Sequence, residues 1–246
     1  MTREIKDHEI RKNEIVTAAQ AQFMQKGYDT TTIQDIIDAL GIAKGTFYHY
    51  FKSKDELLDE IVERLITDMS DRIKSILDTK KSAIEKFNDV FKLGTVYKVE
   101  NIEVFTILMK TLYREENNIM RDRMFRSSIK RNGPIIAEIV RQGIHEGVFD
   151  TPYPEAIGEI MINHGKILNE GIVEMILDPH SDTEKLTTLM IEKIKIYETT
   201  LERILGATPG SLQLYIPGEF ENIVKEFTRH AREEHDSETR KHYKMW

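Results

Sequence analysis

The chain has 246 residues, of which 40% are hydrophobic, 31% are charged and none is cysteine. This composition predicts a globular protein with a substantial core, and it excludes a disordered chain, a disulfide framework and a thiolate site. The net charge of -7 would ordinarily disfavour a nucleic-acid partner. However, residues 1–54 hold 8 Lys and Arg against 7 Asp and Glu, and the remainder holds 27 against 35. The acidic excess therefore lies outside the N-terminal segment.

The sequence predicts no membrane association. The first twelve residues, MTREIKDHEIRK, contain no apolar segment of the kind that a signal peptide has. Uncharged runs elsewhere stay short of the ~18 residues that a membrane-spanning helix needs. We therefore expect a cytoplasmic protein.

The sequence predicts a first helix over residues 10–27. Its apolar residues recur at the spacing of one helical face. They are Ile15, Ala18, Ala19, Phe23 and Met24. Gly27 is expected to end this helix.

The segment TTIQDIIDAL at residues 31–40 predicts a second, amphipathic helix. Its buried face consists of Ile33, Ile36, Ile37 and Leu40. Either Thr31 with Gln34 or Thr32 with Asp35 fits an N-terminal capping box, and the sequence leaves both open. Gly41 would supply the left-handed conformation that ends the helix.

A third helix is expected to begin directly after this turn. Phe47 and Phe51 lie one turn apart and should point inward. The outer surface then carries Lys44, Gly45, Thr46, Tyr48 and His49. Glycine in a helix is less favourable than alanine by about 1 kcal/mol, so Gly45 fits a site that a phosphate or base edge approaches too closely for a Cβ atom.

A long fourth helix follows. Ser53 and Glu56 match the S-x-x-E capping box, and apolar residues recur at helical spacing to about Asp78, a length of roughly 38 Å. Lys54 and the first amides of this helix are predicted to hold a phosphate. A rod of this length would link the N-terminal motif mechanically to the rest of the chain.

The run GIAKGTFYHYFKSKDELL, preceded by TTIQDIIDAL, resembles the helix-turn-helix DNA-binding domain of the TetR family of bacterial transcriptional regulators. The resemblance covers residues 9–65. It implies an all-helical homodimer whose N-terminal domains bind a palindromic operator and whose larger domain binds a small inducer. Ala43 departs from the pattern, since the family often has Ser or Thr there. Loss of that side-chain N-cap should cost about 1 kcal/mol of local stability.

The resemblance also implies roles for individual residues. Those expected to face bases or nearby sugar-phosphate are Gln34, Lys44, Gly45 and Thr46. Those expected mainly to hold phosphates are Thr32, Tyr48, His49, Tyr50 and Lys54. The implied function is a sequence-specific DNA-binding repressor that an inducer releases from its operator, with no catalytic residues and no cofactor.

Beyond the fourth helix the pattern stays helical, without strand alternation. Breaks are predicted near residues 79–80, 94–101, 115–118, 133–134, 147–154 and 178–182. The helical units between them are 82–98, 101–114, 118–146, 154–177 and 183–205, which gives about nine helices in all. The predicted all-α protein has a helix-turn-helix domain (1–54), a ligand-binding and dimerisation domain (55–205) and a C-terminal extension (206–246).

Two segments, 154–177 and 183–205, are apolar over a broad surface, and the resemblance implies that they form a four-helix bundle with a second copy. These segments contain Gly158, Gly165 and Gly171. The glycines would either let the helices approach closely or merely mark kinks. In the C-terminal extension a short amphipathic helix is predicted from the spacing of Phe220, Ile223, Val224 and Phe227.

A small apolar or aromatic inducer is expected to bind in the second domain. Methionine and aromatic side chains near its middle would suit such a molecule, although each alone also fits an ordinary core position. The candidates are Phe87, Phe91, Phe105, Met109, Tyr113, Phe125, Met161, His164 and Leu168. His164 interrupts an apolar helix and would orient the ligand; a hydrogen-bonded buried or interface histidine is the alternative.

The sequence offers little support for a metal or an enzymatic site. His230, Glu234 and His235 lie close together, but in a polar terminal run that is a poor setting for coordination. Walker, G-x-S-x-G and H-E-x-x-H motifs are absent. Two alternatives remain. The first is a helical carrier or enzyme with a purely structural N-terminal motif, and the second is a DNA-binding protein whose helix near residues 220–227 recruits a protein partner.

Overall fold

In a computed structural model of the chain, residues 3–169, 172–178, 180–214, 218, 221–222, 224–229 and 232–233 are described. Within these ranges the chain forms helices and connecting segments without a strand, which confirms the predicted all-α class. The helices are α1 (Arg3–Lys26), α2 (Ile33–Leu40), α3 (Lys44–Tyr50), α4 (Lys54–Leu77), α5 (Ala83–Glu100), α6 (Ile102–Leu112), α7 (Asn118–His145), α8 (Pro154–Asn169), α9 (Ile172–Leu177) and α10 (Thr183–Leu205). A short 3-10 helix, Glu115–Asn117, precedes α7.

The first hydrophobic core joins the N-terminal helices to the helices that follow. Ile15 of α1, Phe47 of α3 and Leu57 of α4 are fully buried in it. The same core includes Ile107 of α6 and Met120 of α7. Burial of each large apolar side chain contributes about 1.5–3 kcal/mol, so the N-terminal motif is held firmly against the second domain.

α4 connects this core to a second one. It runs unbroken from Lys54 to Leu77, close to the bounds that its apolar period predicted. Ile73, near its end, packs with Phe87 of α5, Ile139 of α7 and Leu201 of α10. A single rigid element therefore passes through both cores.

The break predicted near residues 94–101 falls at its far end, at Asn101, and the break predicted near residues 133–134 is wrong. α5 continues through Gly94 and α7 continues through Pro134. Tertiary packing overrides the local tendency to break, because these helices lie close to their neighbours. A Cβ atom on Gly94 would lie 3.4 Å from Met69 Cε, and one on Gly158 of α8 would lie 2.6 Å from the Cα atom of Gly133. Gly158 thus permits close packing of α7 and α8 within the subunit.

The C-terminal extension is bound to the helical domain by its backbone. The N–H of Leu212 donates to Glu202 Oε1 at 3.0 Å, and the N–H of Leu214 donates to Glu198 Oε1 at 2.6 Å. Both acceptors lie on α10. Hydrogen bonds to charged groups are among the stronger ones in proteins, so this segment forms part of the folded domain.

The predicted amphipathic helix packs on its own subunit. Val224 is fully buried and Phe227 is 6% exposed, in a cluster that includes Ile176 of α9. Phe220 and Ile223 lie outside the described residues. This packing removes the basis for the alternative in which the helix docks a protein partner.

Candidate nucleic-acid interface and ligand cavity

The start of α2 is determined by Thr32 and Asp35. Thr32 Oγ1 accepts a hydrogen bond from the Asp35 N–H at 3.1 Å, and Asp35 Oδ2 accepts one from the Thr32 N–H at 2.8 Å. Of the two capping boxes that the sequence left open, this is the one present, and Thr31 is buried instead. Lys26, 2.6 Å from Asp35 Oδ1, and then Thr32 hold the pKa of the Asp35 carboxyl well below its usual range.

α3 is anchored on one side by aromatic residues. Gly41, with φ of 62°, ends α2 in the left-handed conformation and redirects the chain. Phe47 is fully buried and Phe51 is 2% exposed. Ala43 gives α3 no side-chain N-cap, as expected from the sequence. The face of α3 opposite these phenylalanines is therefore turned to solvent.

The outer face of α3 has the chemistry of a phosphate- and base-contacting surface. Its exposed residues are Lys44, Gly45, Tyr48 and His49, with Thr46 and Tyr50 half-buried. Lys44 Nζ lies 6.0 Å from the centroid of the Tyr48 ring and pairs with no carboxylate among the described residues. A Cβ atom on Gly45 would have none of the described residues within 4 Å. A cation, hydroxyl groups and open space suit the contacts that major-groove binding requires.

Neighbouring side chains extend this surface at both ends. Thr32, the N-cap of α2, and Gln34 within α2 are exposed. Gln34 Nε2 donates to Asp38 Oδ1 at 2.7 Å, a bond that a base contact would replace. The ring of Tyr50 lies 4.6 Å from that of His8 between centroids. Tyr50 thus also packs against α1.

Lys54 is placed differently from the other candidate residues. Its Nζ donates to the carbonyl oxygens of Tyr28 at 2.7 Å, Thr31 at 3.0 Å and Asp29 at 3.3 Å. Burial lowers the pKa of its ammonium. Because all three donors have protein acceptors, Lys54 fastens α4 to the turn between α1 and α2. We therefore do not include Lys54 among the DNA-contacting residues proposed for this interface.

The capping arrangement beside Lys54 also differs in detail from the prediction. Ser53 Oγ accepts a hydrogen bond from the Glu56 N–H at 3.0 Å, as the S-x-x-E pattern indicates. Glu56 Oε2, however, accepts from the Lys52 N–H at 2.6 Å, one residue before the N-cap. The first turn of α4 is capped all the same.

A cavity of about 430 Å³ lies in the second domain. This volume falls within the range typical of small-molecule sites. Most of its wall is apolar or aromatic, with contributions that include Val62, Ile66, Met69, Phe91, Tyr97, Met161 and Ile194. Its polar contributors include Thr95, Lys98, Ser128, Asn132 and Lys193.

Two family models match the chain. The model for bacterial regulatory proteins of the tetR family matches residues 15–61, which span α2, α3 and parts of α1 and α4. The model for the tetracyclin repressor-like C-terminal domain matches residues 101–175. The chain belongs to the TetR family. It is a DNA-binding transcriptional regulator, as the resemblance of its N-terminal motif implied.

Curated relatives of this TetR-family chain are transcriptional regulators. The transcriptional repressor KstR2 of Mycolicibacterium smegmatis is 25% identical over 139 residues, which cover 56% of this chain and 67% of KstR2. The uncharacterised regulator YfiR of Bacillus subtilis is 26% identical over 211 residues, which cover 82% of this chain and 95% of YfiR.

Solved structures of TetR-family regulators share the fold. A regulator from Pectobacterium atrosepticum aligns with a TM-score of 0.62 and 19% identity over 83% of this chain and 98% of its own. The repressor FadR of Thermus thermophilus, solved in complex with lauroyl-CoA, aligns with a TM-score of 0.56 and 16% identity over 76% and 92% of the two chains. At these identities the likeness is one of fold.

Some of the predicted ligand residues lie on the cavity wall and others do not. Phe91, Phe105 and Met161 line the cavity. Phe87 is buried in the second core. The side chain of Leu168 lies outside the described residues.

The remaining candidates contact other parts of this TetR-family domain. Met109 packs in the cluster that holds the C-terminal helix, and Tyr113 packs against the first core. The Phe125 ring lies 5.3 Å from Lys166 Nζ, and the His164 ring lies edge-on to Tyr197 at 5.0 Å between centroids. Tyr197 lines the cavity, whereas His164 does not.

Sequence reasoning missed the charged residues of the cavity. Lys98 follows Phe91 by seven positions and Gly94 by four, so it lies on the cavity-facing stripe of α5. Lys193 lies in the same way between Met190 and Tyr197 of α10. The sequence signal that could have revealed both residues is a lysine that interrupts an apolar stripe of a helix.

The cavity adjoins the DNA-binding domain directly. Val62 of α4 and Leu108 of α6 belong both to the first core and to the cavity wall. Arg123 of α7 pairs with Asp59 of α4 at 2.8 Å. Arg114, after α6, forms an ion pair with Asp29 in the turn before α2. Movement of α4 or α6 at the cavity would therefore reach the base of the helix-turn-helix.

The described part of the chain contains no group of three or more His, Asp or Glu placed to hold a metal ion. His230, Glu234 and His235 lie outside that part. None of the described helices has the length and apolar content needed to cross a membrane.

Proposed function

We propose that this regulator is a cytoplasmic repressor that binds a palindromic operator as a homodimer. Two copies of α3 would enter successive major grooves about 34–36 Å apart, as in other helix-turn-helix dimers. The observation that carries the proposal is the outer face of α3, where Lys44, Tyr48 and the open space at Gly45 are presented on a fully buried aromatic base. Repression, rather than activation, is supported by the similarity to KstR2, which is named a transcriptional repressor.

The dimer is proposed to form through α8, α9 and α10. Ile167 of α8 is 66% exposed and Ile196 of α10 is 50% exposed, and Ile160 lies seven residues before Ile167 on the same face of α8. Large exposed apolar residues on adjacent helices favour burial against a second copy.

A small apolar or aromatic molecule is proposed to bind in the cavity and release the operator. Such a molecule would push on Val62 and Leu108, which support the first core from the cavity side. The two α3 helices would then favour a separation that no longer matches the DNA. The required coupling is only a difference in ligand affinity between the two states, typically 1–3 kcal/mol.

The test is binding to the DNA upstream of the chain's own gene, measured by fluorescence anisotropy. Lys44→Ala should weaken binding and blur sequence preference, whereas Tyr48→Ala should weaken binding to all sequences about equally. Lys92→Ala, an exposed lysine on α5, is the matched control and should change neither. Full affinity in both α3 variants would refute the assigned reading surface.

The cavity would also suit a second function, that of a helical protein that carries a small molecule without binding DNA. The same measurement separates the two, since a carrier has no reason to bind the upstream fragment more tightly than unrelated DNA. An enzyme is the weaker rival, because the curated relatives reported above are transcriptional regulators.

A further inference from the structure

The cavity wall carries positive charge without a matching negative charge. Lys98 of α5 and Lys193 of α10 both contribute to it, and no Asp or Glu is found among the described residues that line it. The chain as a whole has a net charge of -7, so this local balance is opposite to that of the protein. A positively charged, mostly apolar site attracts a ligand with one anionic end.

Within the described part of the chain, Lys98 has no partner that would account for its position. It forms no hydrogen bond or ion pair with a described residue. Its side chain is exposed and lines the cavity, so a molecule in the cavity can reach it. Burial lowers the pKa of this ammonium, and no carboxylate compensates for it. An uncompensated charge of this kind is unfavourable until an anion approaches.

Asn132 of α7 supplies a second unpaired polar group on the same wall. It is 6% exposed, and its Nδ2 donates to Ser128 Oγ at 3.2 Å. Its Oδ1 is buried and accepts no hydrogen bond from any residue that the structure describes. A buried acceptor without a partner is unfavourable, and a hydrogen-bond donor on a ligand would offset this cost.

We infer that the cavity selects an anionic amphiphile, a molecule with an apolar body and a single carboxylate or phosphate group that pairs with Lys98. Lys193 adds to the positive potential, and Asn132 can accept a hydrogen bond from a hydroxyl or amide on the apolar body. This inference rests on the proposed function, in which the cavity is the ligand site, and it adds the chemical class of the ligand. It also refines the prediction of a purely apolar or aromatic inducer.

Calorimetric binding to the full-length chain provides the test. The probes are carboxylates of 8 to 16 carbons, together with dodecyl phosphate and dodecan-1-ol, all below their micelle concentrations. We expect the preferred anion to bind at least tenfold more tightly than dodecan-1-ol. The carboxylate and phosphate arms then identify the source of the negative charge.

Variants assign the preference to Lys98. Lys98→Met should weaken anion binding at least tenfold while leaving dodecan-1-ol within about twofold, and Lys98→Gln should behave in the same way. Lys193→Met should have a smaller effect, about threefold. Lys92→Met, on the exposed side of α5, is the matched control and should change nothing.

Equal affinity for dodecanoate and dodecan-1-ol, anion binding unchanged in both Lys98 variants, or no binding by any anionic probe would each overturn the inference. Failure of the proposed function would be distinguishable from these results. It would appear as tight, Lys98-dependent anion binding that leaves the affinity for the upstream DNA unchanged.

Discussion

The ammonium of Lys54 lies 2.7 Å from the carbonyl oxygen of Tyr28 and 4.3 Å from the centroid of that residue's ring. This contact joins the first turn of α4 to the turn between α1 and α2, across 26 residues of sequence. It makes Lys54 a structural support for the helix-turn-helix, although the sequence places it where a phosphate contact is expected.

Lys54 and Lys44, both in the N-terminal domain, should respond differently to substitution. Lys54→Met should lower the free energy of unfolding by about 2 kcal/mol, because hydrogen bonds to a charged donor are lost. Lys44→Met should change it by less than about 0.5 kcal/mol, because Lys44 is exposed and unpaired within the described structure. Urea unfolding of both variants checks this. A Lys54 variant of unchanged stability that had lost DNA affinity would instead favour a direct phosphate contact.

Gly45→Ala should separate stability from DNA binding. The added methyl group has no neighbour within 4 Å, and alanine is the better helix former by up to about 1 kcal/mol, so the melting temperature should stay equal or rise. DNA affinity should fall, because the methyl group would occupy the space that a phosphate or base edge needs. Anisotropy titration beside a thermal melt measures both effects. Undiminished DNA affinity would show that nothing approaches this glycine closely.

The Asp35 carboxylate should make the stability of the folded protein sensitive to acid. Its folded-state pKa lies below that of the unfolded chain, first because of Lys26 and then because of Thr32. The carboxylate therefore contributes stability above the usual Asp pKa of about 3.9, and this contribution is lost as the pH falls through the folded-state pKa. Asp35→Asn should be less stable than the parent at pH 6, with the difference shrinking toward pH 2. A difference that stays constant with pH would contradict this linkage.

Lys98 should reduce the stability of the ligand-free protein. Its folded-state pKa lies below that of the unfolded chain, so the folded state disfavours the charged form that predominates at neutral pH. Lys98→Met should therefore melt at a higher temperature without ligand, and the Lys92→Met control should not. Differential scanning calorimetry measures the shift. A lower melting temperature for Lys98→Met would indicate a structural role for the charge.

The N-terminal fold was predictable because its determinants are local. The spacing of Ile36 and Ile37, the glycine at 41 and the inward pair Phe47 and Phe51 lie within sixteen residues of one another, and each follows a helical rule. The choice between the two capping boxes required coordinates. Thr31 and Thr32 fit the pattern equally well until the burial of Thr31 decides between them.

The residues that sequence reasoning misplaced depend on contacts between distant segments. The acceptors of Lys54 lie 23 to 26 positions earlier in the chain. Pro134 stays inside α7, whose neighbouring Gly133 packs against Gly158 of α8. Lys98 was passed over because a lysine on a helix is usually solvated, and only the packing of α5 turns its face to the cavity.

Whether the outer face of α3 reads DNA is tested by the affinity of the triple variant Lys44→Ala, Thr46→Ala, Tyr48→Ala for the fragment upstream of the gene. We expect at least a hundredfold loss of affinity, with the melting temperature and the oligomeric state of the parent retained. A folded triple variant that binds the same fragment as tightly as the parent would show that another surface contacts the DNA.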